Sequence, residues 1–143
     1  MTDLSLKSRD CRWIKVPGAS DARGSVNFLE LGKGLDFQPK RLFWLHYVAP
    51  GQWRGRRGHR ESKLVLIAVN GQCQAHLDDG TVKETVVLAD VTRALYVAPW
   101  VWHELTDFTP QTAIVVIAST LFEEAEYLRD YETFKREVTE RFP

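Results

Sequence analysis

"VAPGQWRGRRGHRESKLVLIAV", residues 48–69, runs from a Pro-Gly turn into an apolar strand. Its positions 54–60 hold four arginines, two glycines and one histidine. Two readings are open to that heptapeptide: a solvated Arg-Gly arm of the kind that grips nucleic acid, or one wall of a pocket. Phasing backward at period two from Val65 and Ile67 puts Lys63, Glu61, His59 and Arg57 on one side of the strand. Arg56, Gly58 and Arg60 fall on the other. On that phase Arg57 and His59 point together into an enclosed site. The cluster occurs once, tightly bounded by a turn and a strand, which favours the pocket.

Charge supports the same choice. Lys+Arg and Asp+Glu are both 19 in 143 residues, so the chain is neutral, whereas phosphate-backbone binding usually leaves a basic imbalance. No nucleic-acid partner is expected. No apolar run approaches the roughly 18–20 residues that span a bilayer, and "MTDLSLKSRD" lacks the apolar core of a signal peptide. Cys11 and Cys73, without CxxC spacing, read as free thiols of a reducing compartment. The expectation is a cytoplasmic chain, away from membranes, whose residues 1–143 form one domain.

Outward from the opening stretch, short β-branched and aromatic runs recur: 25–31, 40–48, 62–69, 72–77, 81–88, 94–99, 101–108 and 112–119. Gly, Pro, Asn-Gly and Asp-Gly breakers separate them, which predicts an antiparallel sandwich or barrel. "VNGQ" and "LDDGT" carry the Asn-Gly and Asp-Gly pairs that suit tight hairpins. In the tail, Tyr127, Leu128, Tyr131, Phe134 and Val138 recur at three- to four-residue spacing. That pattern predicts an amphipathic helix over 121–142 lying on a sheet. The fold class is all-β, a jelly-roll β-barrel with a C-terminal α-helix, its mouth a natural ligand site.

"DARGSVNFLELGKGLDFQPKRLFWL" (21–45), "APGQWRGRRGHR" (49–60), "VNGQCQAHLDDG" (69–80), "ALYVAPWVWHELTDF" (94–108) and "ASTLFEEAEYLRDYETFK" (118–135) stand in an order that is specific in combination. Over roughly residues 20–135 the chain resembles the cupin-fold 3,4-ketoisomerases that act on thymidine-diphosphate-4-keto-6-deoxyglucose. The resemblance implies a cupin jelly roll, usually a homodimer, that binds a nucleoside-diphosphate sugar, dTDP-linked, in its barrel. It implies no metal and no cofactor. Carried over by motif, Arg23 of "RGS" and Arg41 of "KR" bind the diphosphate, whose oxygens suit a guanidinium fork. His103 of "WHE" binds or orients the sugar.

The departures fall on the chemistry. The family pattern "RGxHAH" keeps its second histidine as His59 but has Arg57 at the first. Phe43 and Trp44 stand where two tyrosines are common, and Ser62, Lys63 and Leu64 replace a leucine-glutamate-glutamine run. A ketoisomerase passes through an enediol or enediolate and needs a base at C3. Imidazole suits that task at neutral pH, whereas guanidinium stays protonated. His59 is therefore the expected catalytic base and Arg57 the group that stabilises negative charge. A neighbouring cation favours a neutral imidazole.

Other constellations are weak. His59, Glu61 and His103 would be a metal set, but Arg57 spoils it. His46 and His76 read as structural or surface residues. Trp44, Trp53, Trp100 and Trp102 read as core or dimer packing rather than stacking platforms. Two alternatives to the isomerase stay open: a non-catalytic nucleotide-sugar-binding cupin, and an epimerase with altered outcome.

Overall fold

β-branched and aromatic residues at period two, cut by Gly, Pro and Asx turns, give twelve strands among the described residues, 4–143, of the computed structural model. One five-stranded sheet runs β1 (Arg12–Lys15), β9 (Arg93–Val97), β6 (Leu64–Asn70), β11 (Ala113–Ala118) and β4 (Arg41–His46). The other runs β12 (Tyr127–Leu128), β5 (Arg54–His59), β10 (Trp102–Thr106), β7 (Cys73–Asp78) and β8 (Lys83–Leu88). A separate hairpin, β2 (Gly18–Asp21) with β3 (Gly24–Asn27), is exposed along its whole length. From β4 onward the chain keeps switching between the two large sheets, the jelly-roll path. The expected barrel is thus a two-sheet sandwich rather than one continuous hydrogen-bonded cylinder.

Apolar side chains meet between the sheets. Val65, Ala75, Leu95 and Ile114 are fully buried, and Leu77 and Val97 are nearly so. A fully buried Val, Leu or Ile contributes about 1.5–3 kcal/mol. Cys11 and Cys73 are unpaired and buried, and burial pushes their thiols up to about 11 and about 12.

Three sequence expectations are corrected. The opening stretch is not one strand: β5 and β6 lie in different sheets, and residues 60–63 cross between them. The Asn70-Gly71 turn likewise joins β6 to β7 across sheets, while the Asp-Gly turn does close a hairpin, with Asp78 opposite Lys83. The helix α1 spans Tyr131–Arg141, not 121–142. Asp130 caps it, accepting from the Thr133 N–H at 2.9 Å, and such a cap ends the helix on its N-terminal side. Upstream, Glu124–Glu126 form a 3₁₀ turn, and β12 adds to the edge of β5 through Tyr127 opposite His59 and Leu128 opposite Gly58.

Helix α1 is pinned to the second sheet by Phe134, which is fully buried against Trp102, ring centroids 5.5 Å apart. Trp102 packs edge-on to Tyr131 as well, so its part is packing, between the second sheet and the helix. Gly58 makes room for the ring: a Cβ there would lie 3.2 Å from Phe134 Cδ1. Phe134→Ala is expected to lower the unfolding free energy by about 3–5 kcal/mol, read from urea titration. A loss under about 1 kcal/mol would mean that α1 is not part of the cooperative core.

Candidate active site

The chemistry-bearing side chains converge on a cavity of about 180 Å³ between the sheets. Leu64, Leu66 and Phe43 form its apolar wall; Arg54, Arg57, His59, His103 and Tyr127 form the polar one. The route to this arrangement differs from the period-two phase. Arg57 and His59 share the cavity with Leu64 and Leu66, not with Val65 and Ile67, because the crossover at 60–63 shifts the phase by one.

A bulge in β5 completes the geometry. His103 pairs with Arg57 but Glu104 pairs with Gly55, so Arg56 is the extra residue. Gly55 and Arg56 both have positive φ, 90° and 58°. At Gly55 a Cβ would meet the His103 carbonyl oxygen at 3.0 Å, so glycine permits the close approach. The bulge turns Arg56 outward, where it meets Glu104 at 3.1 Å and lies 3.9 Å from the Trp53 ring centroid. Arg54 and Arg57 thereby come to the same inner face.

His59 is buried, and its Nδ1 lies 2.6 Å from Glu126 Oε1. A carboxylate can only accept, so Nδ1 carries the hydrogen and Nε2 is the acceptor of the neutral ring. The other Glu126 oxygen accepts from the Glu61 and Ser62 N–H groups at 3.2 and 3.3 Å. Burial alone would raise the Glu126 carboxyl's pKa. The hydrogen bond and charge of His59, with the two backbone donors, outweigh it and hold the carboxyl below the ordinary glutamate value.

His103 stacks on His59, ring centroids 5.7 Å apart and 9° from parallel. Its Nδ1 is buried without a hydrogen-bond partner. Burial, then the charges of His59 and Arg57, push its pKa down to about 3, so it is neutral. Arg57 is anchored through Nε to the Gly55 carbonyl at 3.1 Å. Burial first, then the Arg129 and Arg54 charges, bring it below the ordinary arginine value; it still remains a cation at neutral pH.

The structure separates the two arginines expected at the diphosphate. Arg41 sits beside the cavity and donates through Nη1 to the Tyr127 hydroxyl at 3.1 Å. Its Nε and Nη2 are buried without hydrogen-bond partners. Arg23 is elsewhere, near the tip of the β2–β3 hairpin, 90% exposed and paired with Asp21 at 2.6 Å. It does not reach this cavity within one protomer. His76 is held by Thr85 and Thr106, and His46 is exposed, as their structural reading required. Of the tryptophans, Trp44 and Trp53 are exposed beside the mouth, while Trp100 lies under Arg141 of α1. Sequence reasoning missed Glu126 and Tyr127, both assigned to a helix that begins only at Tyr131.

A larger concavity of about 590 Å³ lies on the outer face of the first sheet. It is apolar, formed by Phe28, Leu29, Leu31, Leu42, Ile67 and Val69 among others, and holds none of the histidines. His59 and His103 thus line the smaller cavity, whereas Arg41 borders the larger one.

Comparison with known proteins places this geometry. Residues 9–139 match the family described as FdtA: WxcM-like, C-terminal. The TDP-4-oxo-6-deoxy-alpha-D-glucose-3,4-oxoisomerase of Aneurinibacillus thermoaerophilus is 35% identical over 118 residues, 82% of this chain and 85% of its own. A 3,4-ketoisomerase from Helicobacter canadensis superposes with a TM-score of 0.87 at 32% identity, covering 91% of this chain and 98% of that one. QdtA, a sugar 3,4-ketoisomerase from Thermoanaerobacterium thermosaccharolyticum solved with TDP, gives 0.91 at 29%, covering 94% and 98%.

Two buried groups make the fold acid-sensitive in the same direction. Unfolded, His103 binds a proton near its ordinary 6.5; folded, only near 3. The folded state thus holds fewer protons across that interval, and stability falls as pH falls. Glu126, depressed on folding, contributes stability above the unfolded carboxylate value that is lost as pH drops through the folded one. His103→Gln is expected to flatten the fall in unfolding free energy between about pH 6 and about pH 4, measured by urea titration at stepped pH. A slope identical to wild type would refute the buried neutral imidazole.

Proposed function

The chain belongs to the FdtA family, and on that premise we propose that it is a nucleotide-sugar 3,4-ketoisomerase. Its substrate is a nucleoside-diphosphate-linked 4-keto-6-deoxy sugar, and the reaction is proton transfer through an enediol or enediolate. One observation carries the reading: His59, held through Nδ1 by buried Glu126, lines a cavity whose other polar groups are guanidiniums, a neutral imidazole and a phenol.

His59 Nε2 takes the C3 hydrogen. Glu126 fixes the tautomer and offsets the imidazolium charge that results, the role a carboxylate plays behind a catalytic histidine. Arg57 faces the developing enediolate and stabilises it, since a fixed cation in a site poor in water is worth more than in solution. The unpaired Nδ1 of His103 meets a sugar hydroxyl. The TDP complex of QdtA supports thymidine diphosphate as the carrier, with the unpartnered Arg41 donors turned to its phosphates. Buried free thiols suit a reducing compartment such as the cytoplasm.

The cavity is smaller than the ~300–1,000 Å³ of a complete small-molecule site. It suits the sugar and leaves the nucleotide to other surfaces. Leu42 and Phe28 are 60% and 44% exposed on the outer face of the first sheet, and an apolar patch of this kind marks an interface. The working form is a homodimer packed on that face, in which the projecting hairpin carries Arg23 of one protomer to the ligand of the other.

Incubated with TDP-4-keto-6-deoxyglucose in deuterated buffer, the protein is expected to form the 3-keto isomer, with solvent deuterium entering at C3 or C4 by NMR. Tight TDP binding without exchange would leave only a binding module. His59→Asn is expected to lower turnover by about 10²–10⁴-fold while TDP still binds; undiminished turnover would remove His59 as the base. Leu42→Glu is expected to sediment as a folded monomer in analytical ultracentrifugation. A wild type that is itself monomeric would sink the dimer.

A further inference from the structure

We propose that Tyr127 is a catalytic residue that carries the hydroxyl proton between the two sugar oxygens, an inference that rests on the ketoisomerase reading. Moving a carbonyl from C4 to C3 requires two transfers. A hydrogen passes from C3 to C4, and a proton passes from O3 to O4. His59 has one available nitrogen, because Nδ1 is bound to Glu126. While the enediol exists that nitrogen holds the hydrogen taken from carbon, so a second group must serve the oxygens.

The cavity lining leaves few groups for the task. Arg54 and Arg57 keep their protons at neutral pH. His103 is held neutral first of all by burial, so it does not cycle through an imidazolium. Glu126 is turned to His59 and to the crossover N–H groups. Phe43 has no hydroxyl. Tyr127 is the one lining side chain with an exchangeable O–H, among the described residues.

Its surroundings suit a carrier. The phenol oxygen accepts from Arg41 Nη1 at 3.1 Å, which leaves its own hydrogen to point elsewhere. The Arg129 and Arg57 guanidiniums lie 4.6 and 5.6 Å from the ring centroid, and Arg129 is itself held by Glu124 at 2.6 Å. Three cations therefore surround the ring, and Arg41 offsets the phenolate charge while the proton is away. The His59 ring meets Tyr127 edge-on at 4.5 Å, so the base and the phenol serve one sugar ring together.

The step balances without an oxidant. His59 Nε2 takes the C3 hydrogen, and the C3–H pair becomes the C3=C4 bond. The C4=O π pair moves to O4, which takes the Tyr127 proton. The phenolate then removes the O3 hydrogen and the O3–H pair forms C3=O. The C3=C4 pair takes the hydrogen held by His59 at C4. Both side chains return to their starting states.

The test is Tyr127→Phe in the full chain with TDP-4-keto-6-deoxyglucose as substrate. The expected result is a kcat about 10²-fold or more below wild type with KM within about threefold. A second arm places 3-fluorotyrosine at position 127 alone, whose more acidic phenol is expected to move the pH–rate profile to lower pH. A purely structural role would not shift that profile. Phenylalanine with a kcat within about threefold of an active wild type overturns the relay alone, as does an unshifted fluorotyrosine profile. A wild type that forms no 3-keto isomer overturns the isomerase reading and the relay together.

Discussion

The buried carboxylate of Glu126 is the point on which the site depends. One oxygen holds His59 Nδ1 and the other holds the N–H groups of Glu61 and Ser62. The Arg60 N–H adds a bond to the Glu126 carbonyl at 2.8 Å. One residue thus satisfies the Arg60, Glu61 and Ser62 N–H groups of the segment that crosses between the sheets, orients His59, and ties the tail to the edge of β5. Buried donors left unpaired cost about 1–3 kcal/mol each. The placement of His59 and the chain crossover consequently share one set of hydrogen bonds.

Around that anchor the cavity carries more cations than anions. Glu126 is committed to His59 and Glu124 to Arg129, so among the described residues Arg54, Arg57 and Arg41 keep no carboxylate partner. Such an excess in a partly buried site is costly unless a ligand supplies the negative charge. A nucleoside diphosphate and an enediolate both do. The two histidines differ because their partners differ: His59 has a carboxylate on Nδ1, whereas His103 has none and is held neutral.

The layers of the fold were legible in sequence as β-branched and aromatic runs between turn signals, and burial alternates at period two in β4, β8 and β10. That Arg57 and His59 share a face was also legible, although the reasoning reached it by the wrong phase. Two deviations are responsible. The crossover at 60–63 shifts the alternation by one, and the Gly55-Arg56 bulge adds a residue whose positive φ breaks it again. Neither announces itself in a pattern of apolar residues, though "RGR" with a glycine before the extra arginine was the available signal. Glu126 and Tyr127 were hidden for another reason. Tyr127, Leu128, Tyr131, Phe134 and Val138 satisfy helical spacing, yet the Asp130 cap and the free edge of β5 divide the run into a strand and a helix. The Asp-x-x-Thr cap at 130–133 could have marked the division. Arg23 illustrates a limit of a different kind, because motif matching assigns it to a ligand, whereas in this chain it stands on an exposed hairpin, paired with Asp21 and outside the cavity lining.

On the resemblance, Arg57 stands where a first histidine is expected, and a guanidinium narrows what the site can do with protons. With two imidazoles on one strand, different bases can attend C3 and C4. With His103 held neutral and Arg57 permanently protonated, His59 is the single imidazole left to exchange hydrogen with carbon. On the proposed assignment the same nitrogen must reach both carbons, which lie next to each other on one ring, so removal and delivery take place on the same face of the sugar. On that assignment Arg57 stands as a fixed cation beside the enediolate in place of a second base, and the hydrogen's path is confined to the one imidazole that Glu126 holds in place.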